Sequence, residues 1–374
     1  MVPARREGPY ATAPGSAARR RYEEPQMDFE IAERTPLRHN PLNQVTAAIE
    51  RVTDATGRTL IRKELRAPKP DALDTDRWTA SADPRHWNYW RREAAAYQDE
   101  ELRRSLSGTG LDLPGSEVVE HDKRATLWLE DVAGTPGADF TLEDHVALAT
   151  GLGRWQASDA LGAAWESRRF LRDYSTVMTR PSTRRVDDDE AWAQPLIREA
   201  WPADLRDGWL RLLAHRDDLL AIMERLPRTR CHLDVWVSNE IRRRSGEVVL
   251  VDWAFAGDGA VGEDLGNHVP DATFDLFWPA ENIGELDAAC FTAYLTGLRE
   301  AGWAGREQEV RLGVVASCVK YSWLLPLMLE QASADRHRAY HQPADAADLY
   351  HRRGLTFTHL VGWCDEALRR IGEG

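Results

Sequence analysis

The chain is poor in lysine and cysteine. Only four of its 48 basic residues are lysines, namely Lys63, Lys69, Lys123 and Lys320. This bias is typical of a GC-rich genome, so a retained lysine is mildly informative, because an ammonium and a guanidinium are not equivalent at a phosphate. The four cysteines are scattered without metal or redox spacing. Their spacing indicates a reducing, cytoplasmic environment.

Long apolar runs are also missing. The best candidate for a membrane span, Val314 to Leu329, is broken by Lys320 and Pro326, so we expect no association with a membrane. The N-terminus has no apolar core of the kind found in signal peptides. The formal net charge of -13 argues against general nucleic-acid binding and is compatible with cationic substrates.

Strand patterns occupy the first third of the chain. Residues 1–30 are rich in Arg, Pro, Ala and Glu and are predicted to be a disordered tail. Residues 45–65 predict a hairpin that turns near Gly57 and carries Lys63 on its second strand. Residues 87–106 predict a helix that contains Glu93. After residue 137 the pattern is mostly helical.

The most informative segment runs from Cys231 to Trp253. It predicts two short strands joined by a turn at Ser245-Gly246, because glycine supplies the positive φ that a tight reversal needs. Such a hairpin brings Asn239 and Asp252 together, and Asp234 lies on the loop that feeds it. Two carboxylates and an amide therefore converge on one small volume. Oxygen-rich clusters of this kind suit Mg²⁺.

The same residues form a recognisable motif. His232-Leu-Asp234 and Asn239 keep the order H-x-D-x-x-x-x-N, which is followed by Val-Asp252-Trp and then by Gly-Glu-Asp264-Leu-Gly. This series resembles the aminoglycoside phosphotransferase and choline kinase family. The resemblance covers roughly residues 36–374 and is strongest between residues 227 and 267.

The resemblance implies an α+β fold with the bilobal, protein-kinase-like architecture. Residues 36–130 would form a small N-lobe, a nucleotide-binding antiparallel sheet with one helix. Residues 131–374 would form a larger, mostly helical C-lobe that contains the catalytic and metal-binding loops.

It also implies roles for the motif residues. Asp234 would be the catalytic carboxylate that orients an acceptor hydroxyl. Asn239 and Asp252 would hold Mg²⁺ against the phosphates of ATP. His232 and Asp264 would support the catalytic loop rather than react.

Nucleotide contacts are implied in the N-lobe. Lys63 would contact the α- and β-phosphates, with Glu93 paired to it, and the hinge residues Glu130 and Val132 would meet adenine. Family members often place glycines in the loop that covers the phosphates, but the corresponding stretch, residues 37–45, has none. Either Asn43 and Gln44 supply contacts in their place, or nucleotide binding is weakened.

Three functions are compatible with these residues. The first is an ATP- and Mg²⁺-dependent phosphotransferase that acts on a hydroxyl of a small molecule, such as an antibiotic or a natural-product metabolite. The second is a peptide Ser/Thr kinase that acts on a precursor peptide together with its modifying enzyme. The third is a kinase-fold binding subunit with little turnover, which the glycine-free loop favours.

Removing residues 1–30 should leave the melting temperature nearly unchanged, because this segment lacks the apolar pattern needed for packing. Thermal unfolding of the truncated and full-length proteins checks this expectation. A large drop in melting temperature would show that the segment docks on the folded protein. Loss of activity at unchanged stability would indicate that it binds a substrate or partner.

Overall fold

The computed structural model describes residues 30–69, 77–158, 161–179, 185–334, 337–339 and 342–372. The predicted tail, apart from Glu30, lies outside these residues. Within them, an antiparallel sheet is followed by a larger helical part, which confirms the predicted α+β bilobal fold.

The first part contains a five-stranded antiparallel sheet in the order β1-β2-β3-β6-β5. The predicted hairpin is formed by β2 and β3, and Gly57 takes the left-handed φ of 84° at its turn. The strands are β1 (Ile31–Pro36), β2 (Thr46–Asp54), β3 (Thr59–Arg66), β4 (Leu111–Asp112), β5 (Ser116–His121), β6 (Arg124–Glu130), β7 (Thr135–Pro136), β8 (Arg228–Cys231), β9 (Glu240–Arg242), β10 (Val248–Leu250), β11 (Gly257–Ala260), β12 (His337–Ala339) and β13 (Gln342–Ala344).

Helices cover most of the second part and bury their apolar faces in one large core. The helices are α1 (Arg92–Gln98), α2 (Glu100–Leu106), α3 (Leu142–Gln156), α4 (Phe170–Thr179), α5 (Asp189–Trp192), α6 (Pro195–Ala200), α7 (Leu205–Ala214), α8 (Arg216–Arg225), α9 (Glu263–Phe274), α10 (Ile283–Glu300), α11 (Glu307–Ala316), α12 (Leu324–Gln331) and α13 (Ala346–Gly372). Short 3₁₀ turns lie between some of them, including Ser317–Tyr321 between α11 and α12.

The prediction of a single helix over residues 87–106 is wrong in two respects, because helical structure begins only at Arg92 and the segment forms two helices. Asp99 ends α1 in an extended conformation, and its carboxylate accepts the backbone N–H groups of Glu101 and Leu102. An aspartate that satisfies the first free N–H groups of a helix is an N-cap. Asp99 therefore starts α2 instead of continuing α1.

One described segment, Glu307–Gln331, is long and apolar enough by composition to cross a membrane. Within the fold, 83% of its most apolar window is buried. The segment is also interrupted at Ser317–Tyr321. Pro326, which has no N–H to donate, lies in the first turn of α12, where none is needed.

The predicted hairpin around the motif is formed by β9 and β10, which pair in antiparallel register. Gly246 takes a φ of 109° at its turn. Beyond the last pair, the N–H of Val251 donates to the carbonyl of Asn239 at 3.0 Å. The start of β9 and the end of β10 are thereby adjacent, so the segments that carry Asn239 and Asp252 lie side by side.

Two glycines allow α3 and α10 to touch at the backbone. A Cβ placed on Gly153 of α3 would lie 2.1 Å from the carbonyl oxygen of Tyr294, and one on Gly297 of α10 would lie 2.2 Å from that of Thr150. Neither carbonyl can move aside without breaking its own helix. This contact fixes the position of α3, whose last residue, Gln156, donates a hydrogen bond to Asp264.

Gly153→Ala should therefore destabilise the protein by about 1–3 kcal/mol, since the added methyl group overpacks a backbone contact. Gly284→Ala is the matched control, because a Cβ placed on Gly284 of α10 would meet no neighbouring atom within 4 Å. That change should leave the free energy of unfolding within about 1 kcal/mol of wild type, on the stabilising side. Urea unfolding measures both, and equal stabilities would rule out the close contact.

Candidate active site

A cavity of about 850 Å³ lies between the sheet and the helical part. Apolar residues of the sheet and the hairpin line one side: Leu37, Ile49, Ile61, Leu129, Ile241 and Val251. Aromatic residues, mostly from the helical part, line the other: Trp78, Phe170, Tyr174, Trp236, Phe255, Phe274, Tyr321 and Trp323. Charged groups of the motif also face this cavity, and all of the residues predicted for nucleotide, metal and catalysis line it.

Asp264 holds the loop between β8 and β9. Its carboxylate accepts the backbone N–H groups of His232 and Leu233, each at 2.7 Å, and the side-chain amide of Gln156 at 2.6 Å. Leu233 has a φ of 65°, a conformation that non-glycine residues rarely adopt. Burial raises the pKa of Asp264 to about 6, against the effect of these hydrogen bonds. The three donors fix the strained loop that leads to Asp234.

His232 supports the neighbouring strand end. Its Nε2 donates to the carbonyl oxygen of Val251 at 3.1 Å, and its ring meets that of Trp253 edge to face at 4.6 Å. Burial lowers the pKa of His232 to about 4, so the ring is neutral near pH 7. A buried, neutral imidazole that is engaged with the backbone links the loop of Asp234 to the residue preceding Asp252.

Asp234 and Asn239 are in direct contact. The amide nitrogen of Asn239 donates to both the carbonyl oxygen and the Oδ2 atom of Asp234, each at 3.1 Å. Burial raises the pKa of Asp234 to about 6, and the positive charge of Lys320 opposes this rise. A carboxylate whose pKa lies near the working pH is well suited to accept a proton from a hydroxyl.

Lys63 forms a buried ion cluster with two carboxylates. Its Nζ lies 2.6 Å from Oε2 of Glu93 and 2.9 Å from Oδ1 of Asp252. Burial favours a lower pKa for Lys63, but the two carboxylates outweigh it and raise that pKa. Burial raises the pKa of Glu93 to about 7, against the effect of Lys63. The Lys63 and Glu93 side chains are almost fully buried, whereas that of Asp252 is 38% exposed and faces the cavity.

Helix α1, which carries Glu93, is tied to the loop after β10. Tyr97 Oη accepts the N–H of Asp252 at 3.3 Å, and Asp252 has a φ of 62°. The buried guanidinium of Arg92 donates to five backbone carbonyls at 2.7–3.1 Å, which belong to Pro84, His86, Trp87, Trp165 and Ala254. Sequence reasoning missed this role of Arg92, because two of its partners, Trp165 and Ala254, lie far away in the chain.

The predicted adenine contacts lie at the sheet side of the cavity. Glu130 and Val132 both line it. The side chain of Glu130 pairs with Arg243 at 2.7 Å and accepts the N–H of Gly115 at 3.0 Å. The backbone N–H of Glu130 donates to the carbonyl of Gly115 at 2.7 Å. The side chain of Glu130 therefore holds the end of β6 in place.

Asn43 also lines the cavity, at the glycine-free loop between β1 and β2. Its Oδ1 accepts the N–H of Val45 at 3.1 Å and the side-chain amide of Asn88 at 3.3 Å. Its own N–H donates to the carbonyl of Asn40 at 3.1 Å. These contacts stabilise the turn, so a nucleotide contact from Asn43 would have to use its remaining side-chain N–H groups.

Asn239 and Asp252 retain oxygen atoms for a metal. Among the described residues, no donor reaches Oδ1 of Asn239 or Oδ2 of Asp252. In the same part of the chain, no group of three or more His, Cys, Asp or Glu residues could hold a metal by itself. An amide and a carboxylate oxygen fit Mg²⁺, which takes its remaining ligands from water and phosphate.

Lys320 is a charged residue of the cavity that no motif predicted. It lies on the 3₁₀ turn Ser317–Tyr321, is only 5% exposed, and lines the cavity together with Asp271. Burial raises the pKa of Asp271 to about 7, against the charge of Lys320. The rarity of lysine in this chain is the one sequence signal that singles it out.

The fold is the bilobal, protein-kinase-like fold. An amicoumacin kinase, solved in complex with AMP-PNP, Ca²⁺ and Ami, is similar over 89% of each chain, with a TM-score of 0.53 and 13% sequence identity. A spectinomycin phosphotransferase matches over 89% of this chain and 93% of its own, with a TM-score of 0.49 and 8% identity. A choline/ethanolamine kinase family protein from Mesorhizobium loti matches over 91% of each chain, with a TM-score of 0.47 and 17% identity.

No protein-family profile and no curated protein matches the sequence. The likeness to the amicoumacin kinase is a likeness of fold, and it confirms the architecture that the motif resemblance implied.

Lys63→Arg should weaken Mg·ATP binding by about ten- to hundredfold, because losing a charge-assisted hydrogen bond to phosphate costs roughly 1.5–3 kcal/mol. A planar guanidinium cannot occupy the place of an ammonium that is buried between Glu93 and Asp252. Isothermal titration calorimetry measures the dissociation constant.

Lys69→Arg is the control for this prediction, since Lys69 is exposed beyond the end of β3. It should leave the dissociation constant unchanged. Small and equal effects at both lysines would remove Lys63 from the nucleotide site.

Proposed function

We propose that the protein is an ATP- and Mg²⁺-dependent phosphotransferase that acts in the cytoplasm on a hydroxyl group of a small molecule. The acceptor would be an antibiotic or a natural-product metabolite, in resistance or biosynthesis. The observation that carries the proposal is the convergence of Lys63, Asp234, Asn239 and Asp252 on one cavity. These are the residue types that phosphoryl transfer needs to place a nucleotide, a metal and a hydroxyl together.

Asp234 acts at the acceptor hydroxyl. The acceptor oxygen forms a bond to the γ-phosphorus, while the bond from that phosphorus to the β,γ-bridging oxygen breaks and leaves its electron pair on ADP. The hydroxyl proton passes to the carboxylate of Asp234. Its hydrogen bond from Asn239 and its raised pKa of about 6 support this role, since an efficient base is oriented and has a pKa near the working pH.

Lys63 and the metal ligands act on the triphosphate. The ammonium of Lys63 contacts phosphate oxygens, and Glu93 keeps it in position. Asn239 and Asp252 would hold Mg²⁺, which would supply positive charge that neutralises the phosphates. Glu130 and Val132 line the sheet side of the cavity, and backbone groups of this hinge would meet adenine.

The size and walls of the cavity support a small acceptor. A volume of about 850 Å³ lies within the range of roughly 300–1,000 Å³ that is usual for small-molecule sites. Aromatic side chains enclose the part near Asp234, and ring faces of this kind bind compact organic groups. An extended precursor peptide, the acceptor of the alternative kinase function, would need an open groove in place of these walls.

A kinase-fold binding subunit with little turnover is the second candidate. The loop over the phosphates has no glycine, and the contacts of Asn43 with Val45 and Asn88 hold it as a turn. This arrangement restricts how closely backbone can approach a phosphate. The two candidates differ in whether the bound nucleotide turns over.

The decisive experiment measures ADP formation and phosphorylated product with Mg·ATP and a panel of hydroxyl-bearing antibiotics. Asp234→Asn should reduce turnover by about 10²–10⁴-fold, the usual contribution of a general base, and should keep Mg·ATP affinity.

Asp252→Ala should abolish Mg²⁺-dependent binding of ATP while the protein stays folded, because the residue faces the cavity and not the core.

Each result excludes one account. Wild-type protein that binds Mg·ATP with no turnover on any acceptor or water would support the binding subunit. Transfer to a peptide but to no small molecule would support the peptide kinase. Full Mg·ATP affinity in Asp252→Ala would remove that residue from the metal site.

A further inference from the structure

Lys320 is a buried cation whose hydrogen-bonding capacity is mostly unused. Its Nζ reaches one backbone acceptor, the carbonyl oxygen of Leu233, at 3.4 Å. An ammonium has three N–H donors, and this single contact is long for a hydrogen bond. No carboxylate of the described residues lies within 4.0 Å of Nζ. At least two donors are therefore available on a side chain that is only 5% exposed.

Three aromatic rings surround the ammonium. Their centroids lie 5.8–6.0 Å from Nζ and belong to Phe170, Tyr174 and Tyr321. Ring faces attract a cation more weakly than a contacting carboxylate does. Removing an ammonium from water is unfavourable unless hydrogen bonds and nearby negative charge compensate for the lost hydration. Asp234, Asp264 and Asp271 bring negative charge near Lys320, but none of them lies within 4.0 Å of its Nζ, so the rings and these carboxylates leave its remaining N–H donors unused.

The position of Lys320 indicates what its unused N–H donors can bind. Its Nζ lies beside the peptide that joins Leu233 to Asp234, and both Lys320 and Asp234 line the cavity. The other charged groups around it are Asp271, which also lines the cavity, and Asp264, which is engaged with the loop. A negatively charged group that enters the cavity next to Asp234 would therefore lie opposite the unused N–H donors of Lys320.

We propose that Lys320 is a further catalytic residue, whose free N–H donors bind the oxygens of the phosphoryl group while it passes from ATP to the acceptor beside Asp234. The proposal rests on the phosphotransferase function proposed above. Lys320 gains and loses no proton in this step. The acceptor oxygen bonds to phosphorus, ADP leaves with the electron pair, and the ammonium stabilises charge on the oxygens in transit.

This role differs from that of Lys63. The latter is held between Glu93 and Asp252 and would serve the bound triphosphate before transfer. Lys320 approaches from the helical part, on the acceptor side, and its contact would form mainly during transfer. Interactions that strengthen only in the transition state raise turnover without improving ground-state binding. The two lysines therefore predict different kinetic signatures.

The test uses the full chain with Mg·ATP and water as acceptor, so no acceptor needs to be known. Phosphate release gives kcat, and calorimetry gives the Kd of Mg·ATP and the Kd of Mg·ADP with aluminium fluoride, a mimic of the phosphoryl group in transfer. Lys320→Met should lower kcat and the affinity for the aluminium fluoride complex by about a hundredfold, and change the Kd of Mg·ATP by less than about threefold. Lys123→Met, at the exposed turn between β5 and β6, is the control and should match wild type.

Lys320→Arg keeps the charge with a wider head group and should give a kcat between those of wild type and Lys320→Met. If Lys320→Met does not fold, this variant decides the matter by the same comparison of kcat with the Kd of Mg·ATP. Unchanged kcat and aluminium fluoride affinity in a folded Lys320 variant would overturn the proposal. An equal loss of affinity for Mg·ATP and for the aluminium fluoride complex, together with a lower melting temperature, would also overturn it. That combination is the signature of a purely structural cation.

Failure of the underlying function gives a different result. A wild-type protein that neither binds Mg·ATP nor forms the aluminium fluoride complex would reject both the phosphotransferase function and the role of Lys320. A wild-type protein that does both, with variants that behave identically, would reject the role of Lys320 alone.

Discussion

The ion cluster of Lys63, Glu93 and Asp252 is the constraint on which the site depends, since it joins three elements of the fold beside the cavity. Lys63 comes from the sheet, Glu93 from α1, and Asp252 from the loop after β10. Burying such charges is favourable only if their geometry is kept and the neighbouring polar groups are satisfied. Displacing any one of the three elements would leave an uncompensated charge. The sheet and the helical part are thereby held in one arrangement around the cavity.

Hydrogen bonds to the backbone maintain the loops that the ion cluster connects. Leu233 and Asp252 both adopt left-handed conformations, which are unfavourable for non-glycine residues and persist only when surrounding contacts enforce them. Asp264 holds the first through two N–H groups, and Tyr97 contacts the second. His232 bridges the two loops through Val251. These buried polar side chains position the groups that face the cavity, but they do not line the cavity themselves.

The sequence predicted what depends on short separations along the chain. Asn239 and Asp252 are brought together by one hairpin, so alternation, a Gly turn and a motif were sufficient to place them. Arg92 and Lys320 were not predicted as parts of the site, because Arg92 is tied to Trp165 and Ala254 and Lys320 to Leu233, all of which lie far away in sequence. The break at Asp99 was also missed, since its capping contacts compete with a helical pattern that continues through it. Local pattern therefore defined the hairpin, while remote packing decided what surrounds it.

The five carbonyl contacts of Arg92 have a consequence for control of the protein. They link α1 to Trp165 and Ala254 in the helical part, so rotating α1 outward would strip a buried guanidinium of its acceptors. A conformation in which α1 is rotated outward and Glu93 is withdrawn from Lys63 is thereby disfavoured before any ligand binds. Because the conformation with Glu93 beside Lys63 is already the populated one, a ligand that binds to it loses no affinity to the selection of a rare conformer. Control would then act through the supply of ligands rather than through an allosteric displacement of this helix.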